Sequence, residues 1–104
     1  MAQFIIAYFG GERPATPEAG QAHMAKYKKW LGGLGKAAVV PMAPMGQSHF
    51  VTKSGVTTDC DRDKLSGYSV VEAESLEAAL NMAKTCPFAD IGGTMEVAEL
   101  IKMG

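Results

Sequence analysis

Between Leu65 and Leu80 the chain reads LSGYSVVEAESLEAAL, and its hydrophobic rhythm changes within a single dipeptide. Tyr68, Val70, Val71 and Ala73 follow the short rhythm of a strand, whereas Leu76, Ala79 and Leu80 follow the wider one of a helix. Glu74 and Ser75 leave no room for a loop between them, so the strand must turn directly into the helix. Ser75 is the expected N-cap, and Glu77 faces the positive end of the helix dipole. This helix is expected to bury Leu76, Ala79, Leu80 and Ala83 and to end before Pro87.

The same reading extends along the chain. Residues 3 to 9 are apolar in both phases, with Phe4, Ile6 and Tyr8 on one face and Ile5, Ala7 and Phe9 on the other. That pattern describes a central strand covered on both sides. GGERPA then loops out, and Thr16 before Pro17 is an N-cap with proline at the first helical position. The helix stripe runs His23, Tyr27, Trp30, Leu31 and Leu34, and Gly35 suits its C-terminal cap. AAVV at 37–40 is a short strand expected to stop at Pro41 and Pro44, and HFVTK is another. Ser54 and Gly55 form a turn, residues 57–64 a polar loop, and TMEVAELI a last strand after Gly92 and Gly93.

The order is therefore strand, helix, three strands, helix, strand, within a single domain spanning residues 1–104. Right-handed crossovers place both helices on one face of one sheet. One apolar phase of the first strand then lacks cover, and a second sheet from a twin subunit is the economical source. The expected class is α+β: a ferredoxin-like fold paired as a dimeric α+β barrel. A chain of 104 residues buries roughly 65% of its unfolded surface, so association also helps stability.

Composition narrows the partners. Ten basic and eleven acidic residues give a formal charge of −1, too little field to attract nucleic acid. Lys26 and Lys29 share a helical face opposite Trp30 and Leu31, and a solvated face explains them. MAQFIIAYF lacks the positive start and cleavage pattern of a signal peptide, and no apolar run reaches the ~20 residues of a membrane span. The expectation is a cytoplasmic protein, with Cys60 and Cys86 as free thiols and Cys86 in the core. No phosphate loop, dinucleotide fingerprint or serine elbow is present, so no cofactor is expected. Asp59, Asp61 and Asp63 occupy the first three ligand positions of a calcium loop, but Lys64 and Val70 stand where it needs glycine and glutamate. No metal is expected.

FIIAYFGGE, the run GGLGKAAVVPMAPMG, the stretch from Leu65 to Pro87 and GGTMEVAELI together resemble the YCII-related proteins, including the group named for an Asp-Gly-Pro-Phe signature. The resemblance covers nearly the whole chain. It implies a dimeric ferredoxin-like barrel with a pocket between the inner sheet face and the surrounding helix and loop edges; it implies no particular reaction. At the signature this chain has TDCDRD: Asp59 matches the first residue, and Cys60, Asp61 and Arg62 replace the rest. Some relatives pair a histidine early in the first helix with a carboxylate in a proposed acid/base site, and His23 lies near that position.

His23 is accordingly the candidate catalytic acid/base, because imidazole titrates near neutral pH, and Asp59 is its candidate helper. On an apolar stripe a histidine also serves as a packed structural residue. His49 is a weaker candidate, at the start of a strand. Tyr8 and Tyr68, near strand ends, are candidate substrate-binding residues with hydroxyls in need of partners. Met45 in PMAPMG suits a pocket rim or an interface. Two readings follow: a cofactor-free enzyme moving protons on an aromatic or dicarboxylic metabolite, or a non-catalytic dimerising module that binds a small ligand or another protein in a regulatory role.

Overall fold

The computed structural model describes residues 1–59 and 64–102. Its elements are β1 (Ala2–Gly10), α1 (Pro17–Leu34), a 3-10 turn (Gly35–Ala37), β2 (Ala38–Pro44), β3 (Phe50–Thr52), β4 (Gly55–Thr57), β5 (Leu65–Ala73), α2 (Leu76–Lys84), a second 3-10 turn (Pro87–Ile91) and β6 (Gly93–Glu99). Four strands form an antiparallel sheet in the order β2-β5-β1-β6. With β3 and β4 set aside, this is the ferredoxin-like order, two split βαβ units side by side.

Local chemistry starts and stops the helices as expected. Thr16 Oγ1 accepts the Ala19 N–H at 3.1 Å, and Ser75 Oγ accepts the Ala78 N–H at 3.1 Å. The strand-to-helix junction at Glu74 and Ser75 is thus a capped turn. Gly35 ends α1 at a φ of 55°, which favours glycine. α1 and α2 are joined by Trp30, whose Nε1–H is shared between the Met82 carbonyl at 3.0 Å and Thr85 Oγ1 at 3.1 Å.

Both helices lie on one face. Phe4, Ile6 and Tyr8 of β1 pack with Val71 and Ala73 of β5 beneath Tyr27 and Trp30 of α1 and Ala79 and Ala83 of α2. Cys86 and Phe88 close the same core. The opposite face carries Ile5, Ala7 and Phe9 beside Tyr68 and Val70, because Ile5 pairs with Val70 and Ala7 with Tyr68. No helix covers that face among the described residues. The dimensions agree: extents of 47 × 42 × 17 Å and a radius of gyration of 15.0 Å describe a plate, against about 13 Å for a compact domain of about 100 residues.

Three expectations need correction. β2 continues through Pro41 to Pro44; it is an edge strand, where a missing N–H facing away from the sheet removes no ladder bond. Leu76 and Leu80 are 50% and 39% exposed, because α2 seats its alanines on the sheet and the bulkier leucines fall to its flanks. Residues 55–57, expected in turn and loop, form β4, which pairs with β3 as a separate two-stranded sheet through Phe50↔Thr57, Val51↔Val56 and Thr52↔Gly55. The middle of the expected loop at 57–64, residues 60–63, lies outside the described residues, and with it Cys60, Asp61 and Arg62 of the altered signature.

Candidate functional site

Tyr8 lies in the core under the helices and is fully buried. Its hydroxyl meets Ser69 Oγ at 2.7 Å, and Ser69 in turn hydrogen-bonds the Pro41 carbonyl. A carbonyl has no proton to give, so the serine proton goes to Pro41 and Tyr8 must donate to Ser69. Pro41 sits where the β2–β5 register slips between Val40 and Ala43, and Ser69 satisfies a carbonyl that the ladder leaves out. Tyr27 crosses Tyr8 edge-on at 6.4 Å, and its own buried hydroxyl has no hydrogen-bond partner among the described residues. The Cys86 thiol lies beside both phenols, and burial pushes the pKa values of all three groups up. They are protonated, inert core groups.

The five expected site residues are dispersed. His23 is half-buried on α1, edge-on to Tyr27 at 4.9 Å. Asp59 is exposed after β4, its backbone N–H donating to Thr57 Oγ1 at 3.0 Å. Tyr8 faces the helices, whereas Tyr68 faces the open side, because Tyr8 pairs with Gly67 and Ala7 with Tyr68. Gly67 is required there: a Cβ would come within 2.7 Å of the Ala43 carbonyl. Met45 stands at the end of β2, 44% exposed.

Met45 also lines a hollow of about 520 Å³ at the end of the open face, with Phe9, His49, Phe50, Leu65 and Glu96. Phe9 comes from the last turn of the β1 pleat, and Glu96 projects on the same side because it pairs with Ala7. The segment from Met45 to His49 crosses from β2 to β3 and forms the remaining wall, with Ser48. The hollow therefore joins an imidazole, a carboxylate and a hydroxyl to two aromatic rings. His49 was legible as a histidine but not as a residue that shares a hollow with Glu96. The one signal for Glu96 is its phase in TMEVAE, where Thr94, Glu96 and Ala98 share the face of Ala7. A wider groove of about 650 Å³ between the helices holds Trp30, Met82 and Asp90 with Lys26 and Lys29, which were expected on the face opposite Trp30 but share its side because Lys26 and Trp30 are four residues apart; it holds none of the five expected residues.

A model of the YCII-related domain matches residues 3–103. The chain belongs to the YCII-related family. Among solved structures, this YCII-related chain is similar to the 5-chloro-2-hydroxyhydroquinone dehydrochlorinase TftG from Burkholderia phenoliruptrix AC1100, in complex with 2,5-dihydroxybenzoquinone. The two share 21% identity with a TM-score of 0.60, over 98% of this chain and 95% of that one. At that identity the likeness is one of fold. Comparison with curated protein sequences returned no match. Among the described residues no cluster of three or more His, Cys, Asp or Glu is placed to hold a metal, and no helix is long and apolar enough to cross a membrane.

Proposed function

We propose that this YCII-related protein moves protons on a small, oxygenated organic ring, without a cofactor, in the hollow at the end of its open sheet face. The observation that carries the reading is the meeting of His49 and Glu96 in one cavity with Phe9 and Phe50. Glu96 accepts a proton from the ring or its hydroxyl, and the His49 imidazole returns one. The phenylalanines offer flat apolar surface to the ring, with Met45 at the rim. His23 and Asp59 lie outside this hollow, so the proposal rests on His49 and Glu96 instead. A second copy of the chain covers the face that holds Ile5, Phe9, Tyr68 and Val70 and excludes water from the hollow. The fold's occurrence in a protein solved with 2,5-dihydroxybenzoquinone makes that compound the first probe.

The test follows the exchange of the ring protons of 2,5-dihydroxybenzoquinone into D2O by NMR, with the protein's mass measured by light scattering. A dimer that accelerates exchange, with His49→Asn and Glu96→Gln each lowering the acceleration about 100-fold or more while keeping the circular dichroism, supports the proposal. Acceleration that survives both substitutions refutes the residue assignment. A saturable melting-temperature rise without exchange supports a non-catalytic ligand-binding module in place of an enzyme. A monomer at high concentration removes the second copy from the site.

A further inference from the structure

The wall from Met45 to Ser48 has two sides. Beyond the hollow of His49 and Glu96, a second one of about 440 Å³ is lined by the same four residues and Leu65, together with Gly10, Gly11, Arg13, Lys64 and Ser66. Five shared residues make the two hollows adjoining compartments at one end of the sheet. Their charges differ. Arg13 and Lys64 bring the only formal charges among the described residues lining the second compartment, and both are positive; the first compartment has the Glu96 carboxylate and the His49 imidazole.

The hydrogen bonds of the second compartment sharpen this polarity. Ser66 Oγ already donates to the Gly10 carbonyl at 2.9 Å, and Gly10 N–H is given to the Lys64 carbonyl at 3.2 Å. Those local donors are committed to closing the β1–β5 end of the sheet. The guanidinium and the ammonium are suited to an oxyanion: Arg13 by its planar fork, Lys64 as a compact point charge. A ligand lying across Leu65 from one compartment to the other thus finds cations at one end and the acid/base pair at the other.

Resting on the proposed acid/base reading, we infer that Arg13 and Lys64 form an anion subsite, so that the substrate is a ring bearing a carboxylate or an equally acidic oxygen at the end remote from His49 and Glu96. The subsite sets orientation: reversed, the ligand's anionic group would face the Glu96 carboxylate, which repels it. Arg13 and Lys64 are specificity-determining residues that place the ring.

Isothermal titration of the intact protein with 4-hydroxybenzoate and with its neutral isostere 4-hydroxybenzamide tests this. Hydrogen bonds to charged groups are worth about 1.5–3 kcal/mol, so the carboxylate should bind roughly tenfold to a hundredfold more tightly, with a preference that shrinks as salt rises. Arg13→Gln and Lys64→Gln should each reduce the preference and together abolish it, whereas Arg13→Lys, which keeps the charge, retains most of it. Equal affinity for the two probes in protein that catalyses ring-proton exchange overturns the subsite and leaves the acid/base reading standing. The absence of binding by either probe at millimolar concentration, or a preference that survives the double substitution, overturns the subsite as well. Loss of exchange in the wild-type protein, with the carboxylate preference intact, instead removes the catalytic reading.

Discussion

Ser69→Ala tests the polar chain through the core more directly than any other change. Ser69 is 1% exposed, and its hydroxyl both accepts from Tyr8 and donates to the Pro41 carbonyl. Alanine fits the space but orphans both groups, and a buried unsatisfied group costs about 1–3 kcal/mol. Pro41 stands on the edge strand, where water can reach its carbonyl, so the phenol carries most of the penalty. A loss of about 2–3 kcal/mol is expected. Tyr8→Phe removes only a donor and leaves the Ser69–Pro41 bond intact, for a loss of about 1 kcal/mol. The double variant has no phenol proton left to orphan, so it should be more stable than the sum of the single losses by about 1 kcal/mol. Urea unfolding at fixed protein concentration, followed by the fluorescence of Trp30, the chain's one tryptophan, reads all three. A Ser69→Ala loss below about 0.5 kcal/mol, or strict additivity in the cycle, would refute the donor assignment and the chain built on it.

Two further outcomes follow from packing and titration. A Cβ on Gly93 would overlap the Phe88 ring, so Gly93→Ala should destabilise by about 1–3 kcal/mol, whereas Gly32→Ala in α1, with open space around it, should stabilise by about 0.5–1 kcal/mol; thermal melts of opposite sign check the pair. Cys86, Tyr8 and Tyr27 have raised folded-state pKa values, so their contribution is complete below the unfolded values of about 8.5 and 10 and is lost as pH rises toward the folded ones. The urea midpoint should hold level near neutrality and fall in alkali, and a midpoint unchanged through about pH 11 would contradict the buried placement of these groups.

The fold was legible where local chemistry and hydrophobic phase agree. Thr16 and Ser75 are caps whatever surrounds them, and the apolar run of β1 reads as an inner strand, which it is, between β5 and β6. The errors fall where tertiary position overrides local preference. Proline ends a strand in the middle of a sheet but not at its edge, and nothing in AAVVPMAP says which side lacks a neighbour. Leucine outranks alanine as a buried residue, yet a helix that approaches a sheet closely is seated by its smallest side chains, as Ala79 and Ala83 are. The Val51↔Val56 ribbon is too short for its alternation to stand out from a loop.

The site was less legible, because a constellation is a product of register. Tyr8 and Tyr68 look alike as strand tyrosines, but the pairing of Tyr8 with Gly67 puts them on opposite faces, one sealed beneath helices and the other open. His49 and Glu96 are separated by nearly half the chain, and only the β1–β6 register, which lifts Glu96 to the side of Phe9, brings them to one cavity. The same register explains why that cavity sits at a sheet end. Every strand there stops or turns, so side chains of the open face meet the loop from Met45 to Ser48, and the cations of Arg13 and Lys64 approach from behind it. A chain folded this way separates its tasks by face: the helix side keeps its tyrosines and thiol neutral and packed, and the end of the open side brings His49 and Glu96 to an apolar floor.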